Sequence, residues 1–195
     1  MRLLSYAIDF VSAAVILAPI LLILWKIYLH DAKKTVCYAL FALYLAAVCV
    51  VVGFPAITSL NFDPTVEAIP FISMIDDAKN CALNVILFVP LGVFLPLLWE
   101  RFGTLWRTAL FGFAASLTVE LLQLFTFRTT DIDDLITNTV GTVIGWTLAK
   151  LISGRISLFK PGDNTRDVYI LCGVVLAVMF FVQPLLTNAI WDMIY

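Results

Sequence analysis

The sequence is poor in charge and in the residues that most catalytic and metal sites need. Charged residues make up only 13% of its 195 residues, and His30 is the single histidine. One histidine excludes H-E-x-x-H zinc chemistry and argues against a Ser-His-Asp triad. No glycine-rich phosphate fingerprint occurs, which excludes a Rossmann or P-loop module. A net charge of −2 leaves no basic stripe for nucleic acid.

The four cysteines form no metal-binding or disulfide pattern. Cys37, Cys49 and Cys172 lie inside apolar runs, and Cys81 lies at the edge of another. No CxxC spacing is present, and buried thiols behave as small hydrophobes. We therefore expect a packing role for all four, and we expect neither a cofactor nor a bound metal.

Apolar residues are abundant instead, at 62% of the chain, which is typical of a membrane protein. A bilayer takes roughly 20 apolar residues per helix, so the chain has room for about six spans. We predict an all-α polytopic bundle of six transmembrane helices in a single membrane domain, residues 1–195. Two prolines in the third span should kink it or end it early. The predicted spans are Tyr6–Leu29, Val36–Thr58, Ala82–Trp99, Leu105–Phe127, Leu135–Ile152 and Val168 to about Thr187.

The distribution of basic residues predicts how the spans are oriented. Nine of the twelve Lys and Arg residues fall in the loops after spans one, three and five, whereas Arg2, Lys79 and Arg128 fall on the other side. By the positive-inside rule, both termini and the loops at 59–80 and 128–134 face outward. Polar chemistry is therefore expected at the outer face. Acidic residues collect on that side: Asp9, Asp63, Glu67, Asp76, Asp77, Asp131, Asp133, Asp134 and Asp192.

Glu120 is the only carboxylate that the sequence places well inside an apolar run. It lies about 10 Å below the outer end of its helix, at 1.5 Å per residue. Ionisable groups at such depth are costly and usually face a bundle interior or a wet cavity. Gly112, Ser116 and Gln123 share its helical face. For Ser116 and Gln123 alone we favour a hydrogen-bonding seam between helices, and for Glu120 we favour a functional role.

The third and fifth spans bring further polar residues to the same depth. In the fifth span, Gly141 and Gly145 form a G-x-x-x-G pair that favours close helix packing. If the polar faces of the third, fourth and fifth spans converge, they line one pocket that is open to the exterior. The candidate residues of this pocket are Lys79, Asn80, Asn84, Glu120, Gln123, Arg128, Asp131, Asp134 and Asn138.

The acidic run from Arg128 to Asp134 is open to three interpretations. Asp131 caps the fifth helix, and the acids complement its dipole. Alternatively, Asp131, Asp133 and Asp134 hold a divalent cation together with Glu120, although EF-hand spacing is absent. Finally, the Arg128 guanidinium binds a phosphate or carboxylate. Capping ranks first and ligand contact second, and the two are compatible.

In order and spacing, these motifs resemble those of the VanZ family of small bacterial membrane proteins. The resemblance covers about residues 79–146. It implies a multi-pass protein of the bacterial plasma membrane, associated in some members with resistance to lipophilic glycopeptides such as teicoplanin. The matching residues are Asn80, Asn84, Phe88, Pro90 and Gly92; Ser116, Glu120 and Gln123; and Arg128, Asp131 to Asp134, Asn138, Gly141 and Gly145.

Three classes of function follow. In the first, the outer pocket binds the head group of an amphiphile, either a lipid-linked cell-wall intermediate or a lipoglycopeptide. In the second, the chain is an intramembrane hydrolase or transferase, with Glu120 as general acid or base and Asp131 or Asp134 as an orienting group. In the third, Glu120 serves proton-coupled transport, although inverted repeats and a second membrane-embedded charge are not evident. We favour the first.

Overall fold

The computed structural model describes residues 2–24, 26, 32–62, 66–67, 71, 77–126, 130–153 and 161–194. Within these residues the chain is built from helices, which confirms the predicted all-α class. Six of the helices are long and apolar enough to cross a membrane, so the predicted multi-pass architecture is also confirmed. They are α1 (Arg2–Leu24), α2 (Ala32–Val52), α3 (Ala78–Leu98), α4 (Leu105–Gln123), α5 (Ile132–Ser153) and α6 (Arg166–Ile194).

The second apolar run ends its helix earlier than predicted, at Val52 rather than at Thr58. Gly53 adopts a left-handed φ of 70°, which glycine reaches without a steric penalty. Its N–H donates to the Val50 carbonyl at 3.3 Å, and the Phe54 N–H donates to the Cys49 carbonyl at 2.9 Å. These two bonds form a Schellman motif, which satisfies the last carbonyls of the helix and turns the chain away.

The third span begins one turn earlier than predicted and is not shortened by its prolines. Asp77 caps α3, because its side chain accepts the Asn80 N–H at 3.1 Å. The helix then continues through Pro90 and Pro96 to Leu98. As a result, Lys79 and Asn80 belong to the first helical turn.

The chain divides into two compact units, one formed by residues 1–61 and 166–195 and the other by residues 62–165. In the second unit, α5 packs tightly against both α3 and α4. A Cβ at Gly145 would overlap the Val89 carbonyl oxygen, and one at Gly92 would overlap the Thr142 carbonyl oxygen. The close packing predicted for the glycine pair is therefore confirmed, with α3 as the partner of α5.

The opposite end of this unit, where α3 ends, carries a short 3-10 helix, Glu100–Gly103. The backbone of Gly162 bonds there to the residues before and after the fully buried Trp99. The Gly162 N–H donates to the Leu98 carbonyl at 2.8 Å, and the Gly162 carbonyl accepts the Glu100 N–H at 3.2 Å. Hydrogen bonding with Asp163 and the negative charge of that carboxyl raise the pKa of Glu100. These groups lie outside the membrane-length helices.

In the first unit, α1 packs on α2 and α6, and α6 packs on α2. Tyr38 at the start of α2 donates its hydroxyl to Asp167 Oδ2 at the start of α6, at 3.2 Å. Halfway along α6, Val178–Val182 winds as a π-helix. A π turn changes the angular position of every residue that follows it. Gln183 and Thr187 after this turn are buried, so α6 presents polar groups to the interior of the unit.

Candidate functional site

Polar side chains from α3, α4 and α5 meet at one end of the second unit, where α3 and α5 begin and α4 ends. The Asn84 amide of α3 donates to Asp134 Oδ1 of α5 at 2.6 Å. The Asn138 amide of α5 donates to Ser116 Oγ of α4 at 2.9 Å, in a buried bond. We call the set the α3–α5 polar cluster; it consists of Asn84, Ser116, Glu120, Asp131, Asp134 and Asn138.

Glu120 joins the end of α4 to the residues that lead into α5. Only 4% of the residue is exposed, and its Oε2 accepts the Asp131 N–H at 3.0 Å. Its backbone carbonyl accepts the Thr130 hydroxyl at 3.1 Å. The deep carboxylate therefore faces protein rather than acyl chains. The Asp131 N–H orients the carboxyl within the protein.

The first turn of α5 is organised by its acidic residues. Asp131 Oδ1 accepts the Asp133 N–H at 2.8 Å, so the predicted capping role of Asp131 is confirmed. Asp133 is completely buried, and its Oδ1 accepts the Phe71 N–H at 2.7 Å. Phe71 has a positive φ of 70°, which is strained for a bulky residue. Asp133 thus anchors a strained residue of the preceding loop.

A two-residue parallel strand pair fixes the same loop beside the cluster. Strand β1 (Val66–Glu67) pairs with β2 (Thr130–Asp131), with Val66 opposite Thr130 and Glu67 opposite Asp131. Because Asp131 also donates its N–H to Glu120, the loop, the end of α4 and the start of α5 converge on one residue. The backbone at this end of the unit is therefore tied together at several points.

The other candidate residues are placed less centrally. Gln123 is buried in the last turn of α4, on the same helical face as Glu120. Lys79 is exposed and Asn80 is half-buried in the first turn of α3. Arg128 lies outside the described residues, so its position is not part of the site geometry.

One buried polar atom of the cluster lacks a partner within the described part of the chain. Asn138 is 3% exposed, and its amide donates to Ser116, but its Oδ1 accepts no hydrogen bond there. Buried polar groups are rarely left unsatisfied, and those that are often mark a ligand or an ordered water. The cluster therefore offers an acceptor to a hydrogen-bond donor.

The acidic residues do not form a metal site in the described part of the chain. No group of three or more His, Cys, Asp or Glu side chains there has a geometry that fits a metal ion. Asp131, Asp133 and Asp134 instead accept bonds from three different partners: the Asp133 N–H, the Phe71 N–H and the Asn84 amide. These bonds cap α5, anchor Phe71 and join α3 to α5.

Two residues of the site were not among the predicted candidates. Ser116 was predicted to form a hydrogen-bonding seam between helices, and its buried bond with Asn138 confirms this. Asp133 was placed among the outer acids and, in one interpretation, among the ligands of a divalent cation; it is fully buried. For Ser116, the signal was the spacing of four residues to Glu120. For Asp133 no sequence signal was available, because its partner is a backbone N–H 62 residues away.

Known proteins are similar to the part of this chain that contains the α3–α5 polar cluster. The family model described as VanZ/LLP1 matches residues 41–153, which include α3, α4 and α5. The chain is 36% identical over 125 residues to Protein VanZ of Enterococcus faecium, a match that covers 64% of this chain and 70% of that protein. No solved structure matches.

Proposed function

This chain belongs to the VanZ/LLP1 family, and on that premise we propose that it binds the head group of an amphiphilic envelope molecule. The binding site is the α3–α5 polar cluster. The ligand is a lipid-linked cell-wall intermediate or a lipoglycopeptide of the teicoplanin type. Both combine a polar head, rich in hydrogen-bonding groups, with a lipid chain.

The observation that carries the proposal is the meeting of polar side chains from three membrane-length helices near one end of the second unit. Asn84, Ser116, Glu120 and Asn138 each lie about one to three turns inside their helix, where apolar residues are the default. Their mutual bonds leave Asn138 Oδ1 as an available acceptor. Binding sites of this kind combine a few placed polar groups with apolar walls.

Apolar side chains beside the cluster supply a surface for the lipid chain. Leu83 is 52% exposed and Ile86 65% exposed on α3, and Leu121 is 53% exposed on α4. In a membrane these side chains face acyl tails. A ligand with its head at the cluster would lay its chain along such faces and remain in the outer leaflet.

The proposal also includes the orientation of the chain. The excess of Lys and Arg in the loops after spans one, three and five supports an arrangement with both termini outside the plasma membrane. The cluster then opens to the exterior. Lys79 is exposed at the start of α3 and, with Arg128, would contact anionic groups of the ligand. Gln123, Asn80 and Asn84 would hydrogen-bond its neutral groups.

Binding of defined probes to the full chain in lipid nanodiscs tests the proposal. The probes are a polyprenyl-linked disaccharide precursor, a lipoglycopeptide and the same glycopeptide without its acyl chain. We expect the acylated probes to bind more tightly, and Asn84→Ala to weaken binding by about tenfold because the amide that holds Asp134 in the cluster is lost. Glu120→Gln should retain partial binding. Thr118→Ala is the control, because Thr118 is exposed on α4 and bonds only its own helix, at the Ala114 carbonyl.

Equal binding by the wild type and Asn84→Ala, or no preference for the acylated probe, would contradict the proposal. In cells, expression of the wild type but not of Asn84→Ala should raise the inhibitory concentration of the lipoglycopeptide if this chain acts in resistance. The acyl-free glycopeptide controls for nonspecific effects of expression.

The enzymatic alternative makes a different prediction for the same residue. A general acid or base would lose essentially all turnover as Glu120→Gln, whereas a positioning residue would not. The bond from Asp131 N–H to Glu120 Oε2 supports positioning, because it commits that oxygen to the protein backbone. Hydrolysis of an envelope lipid by the purified wild type, abolished in Glu120→Gln, would favour the enzyme over the binding protein.

A further inference from the structure

A second polar site lies in the unit formed by residues 1–61 and 166–195, and it uses none of the residues of the proposed ligand site. An open cavity of about 370 Å³ lies where α1 begins and α2 and α6 end. Its volume is within the range of small-ligand pockets. Its polar lining comprises Asp9, Thr58, Ser59, Gln183, Thr187 and Asn188.

Asp9 is the only ionisable carboxylate of this lining, and it lies within the membrane-length segment Leu3–Ile23. Its Oδ1 accepts the Gln183 amide at 3.2 Å, and its Oδ2 accepts the Ser5 hydroxyl at a long 3.5 Å. No Lys, Arg or His is among the residues that line the cavity, all of which are described. Neutral donors orient the carboxylate, but they do not balance its charge.

The walls of the cavity are held in place by the π segment of α6. The Phe180 carbonyl, within that segment, accepts the Ile57 N–H at 3.1 Å, which fixes the chain that follows α2. Gln183 follows the π turn and donates to both Asp9 and the Thr187 hydroxyl, the latter at 2.9 Å. π turns in helices are frequent at functional sites, because they redirect side chains.

The remaining lining is apolar and polarizable, with Phe54 and Met179 among its members. The quadrupole of an aromatic ring attracts an ammonium group to the ring face. A carboxylate accepts charge-assisted hydrogen bonds from the same group. A cavity with one negative charge, neutral acceptors and apolar walls therefore complements a cationic head on an apolar chain.

From this geometry we infer that the cavity binds the ammonium group of an amphiphile. The family model matches residues 41–153, so Asp9 and the whole of α6 lie outside the matched region. The site therefore combines an acid and an amide from outside the matched region, Asp9 and Gln183, with lining residues from inside it, between Cys49 and Ser59. The ammonium group can belong to an aminophospholipid or to a free alkylamine, and the two sources are separable by competition.

The test measures binding of n-decylammonium and n-decanol to the full chain in a maltoside detergent. We expect decylammonium to bind at least about tenfold more tightly than decanol, because only the ammonium group can form a charge-assisted hydrogen bond with Asp9. Asp9→Asn should reduce decylammonium affinity to that of decanol. Asp192→Asn is the matched control, because Asp192 is an exposed acid on α6 that does not line the cavity.

Two further variants keep the inference testable if Asp9→Asn does not fold. Ala56→Phe places a ring in the cavity and should weaken both probes. Glu120→Gln should leave decylammonium binding unchanged, which separates this site from the α3–α5 polar cluster. Displacement of the probe by phosphatidylethanolamine but not by phosphatidylglycerol identifies a lipid as the source of the ammonium group. Displacement by neither lipid identifies a free amine.

The inference is overturned if decanol binds as tightly as decylammonium, or if Asp9→Asn folds and keeps the wild-type preference. It is also overturned if Ala56→Phe leaves both affinities unchanged.

Discussion

Replacing Gly145 with alanine should destabilise the protein, even though alanine is the better helix former. A Cβ at this position would overlap the Val89 carbonyl oxygen and lie 2.9 Å from Gly92 Cα and 3.0 Å from Gly92 C. All of these are backbone atoms of α3, so no side-chain rotation relieves the overlap. The two helices would have to separate along their contact.

The expected size of the effect follows from two opposing contributions. Alanine gains about 0.5–1 kcal/mol over glycine in a helix interior, whereas overpacking typically costs about 1–3 kcal/mol. Because the obstruction is backbone, the cost should fall at the upper end, with a net loss of about 1–2 kcal/mol. Gly173→Ala provides the control, since nothing lies within 4 Å of a Cβ at Gly173. That substitution should stabilise by about 0.5–1 kcal/mol.

Unfolding of each purified variant by sodium dodecyl sulfate, followed by circular dichroism in mixed micelles, measures both changes. We expect opposite signs for the two substitutions. If Gly145→Ala is as stable as the wild type, or if both substitutions shift the unfolding free energy in the same direction, the packing argument is wrong. Weakened ligand binding in Gly145→Ala would follow as well, because the α3–α5 contact also positions Asn84 against Asp134.

Two further predictions concern the ends of the second unit. Ser116→Ala removes the acceptor of the buried Asn138 amide and should lower the free energy of unfolding by about 1–3 kcal/mol. The double mutant Ser116→Ala/Asn138→Leu should lose less stability than the sum of the two single mutants. An additive double mutant would contradict this coupling. Hydrogen bonding and the charge of Asp163 raise the pKa of Glu100, so Asp163→Asn should lower it, as carboxyl carbon NMR can measure. Since the folded-state pKa of Glu100 is above the unfolded one, its stabilising contribution is present at low pH and is lost as the pH rises through the folded-state pKa. An unchanged Glu100 titration in Asp163→Asn would refute the assignment.

The features that depend on composition and helical period could be predicted from the sequence. Six spans follow from the length of the apolar runs. The close contact at Gly141 and Gly145 follows from their spacing, and the capping role of Asp131 from its place before an apolar run. Each of these depends on local physics: transfer of apolar side chains to lipid, removal of a Cβ, and satisfaction of helix N–H groups.

The pairing of polar groups could not be predicted in the same way, because it depends on how helices pack in three dimensions. Asn84 finds Asp134, 50 residues away, and Asp133 finds the backbone of Phe71. Asp9 was grouped with the outer acids, although the predicted first span contains it. In the structure it lies within a membrane-length helix and bonds Gln183, 174 residues away. The spacing of Ser5 and Asp9, and that of Gln183 and Thr187, is four residues, which was the available signal.

The π segment of α6 has a consequence for how this molecule can vary. A single π turn is equivalent to one extra residue inserted into an α-helix, so removing one residue between Val178 and Val182 would restore regular winding. All later positions would then rotate by about 100° around the helix axis. Gln183 and Thr187 would turn away from Asp9, although the apolar character of the span would hardly change. A one-codon deletion could thus erase amine recognition while leaving insertion into the bilayer intact.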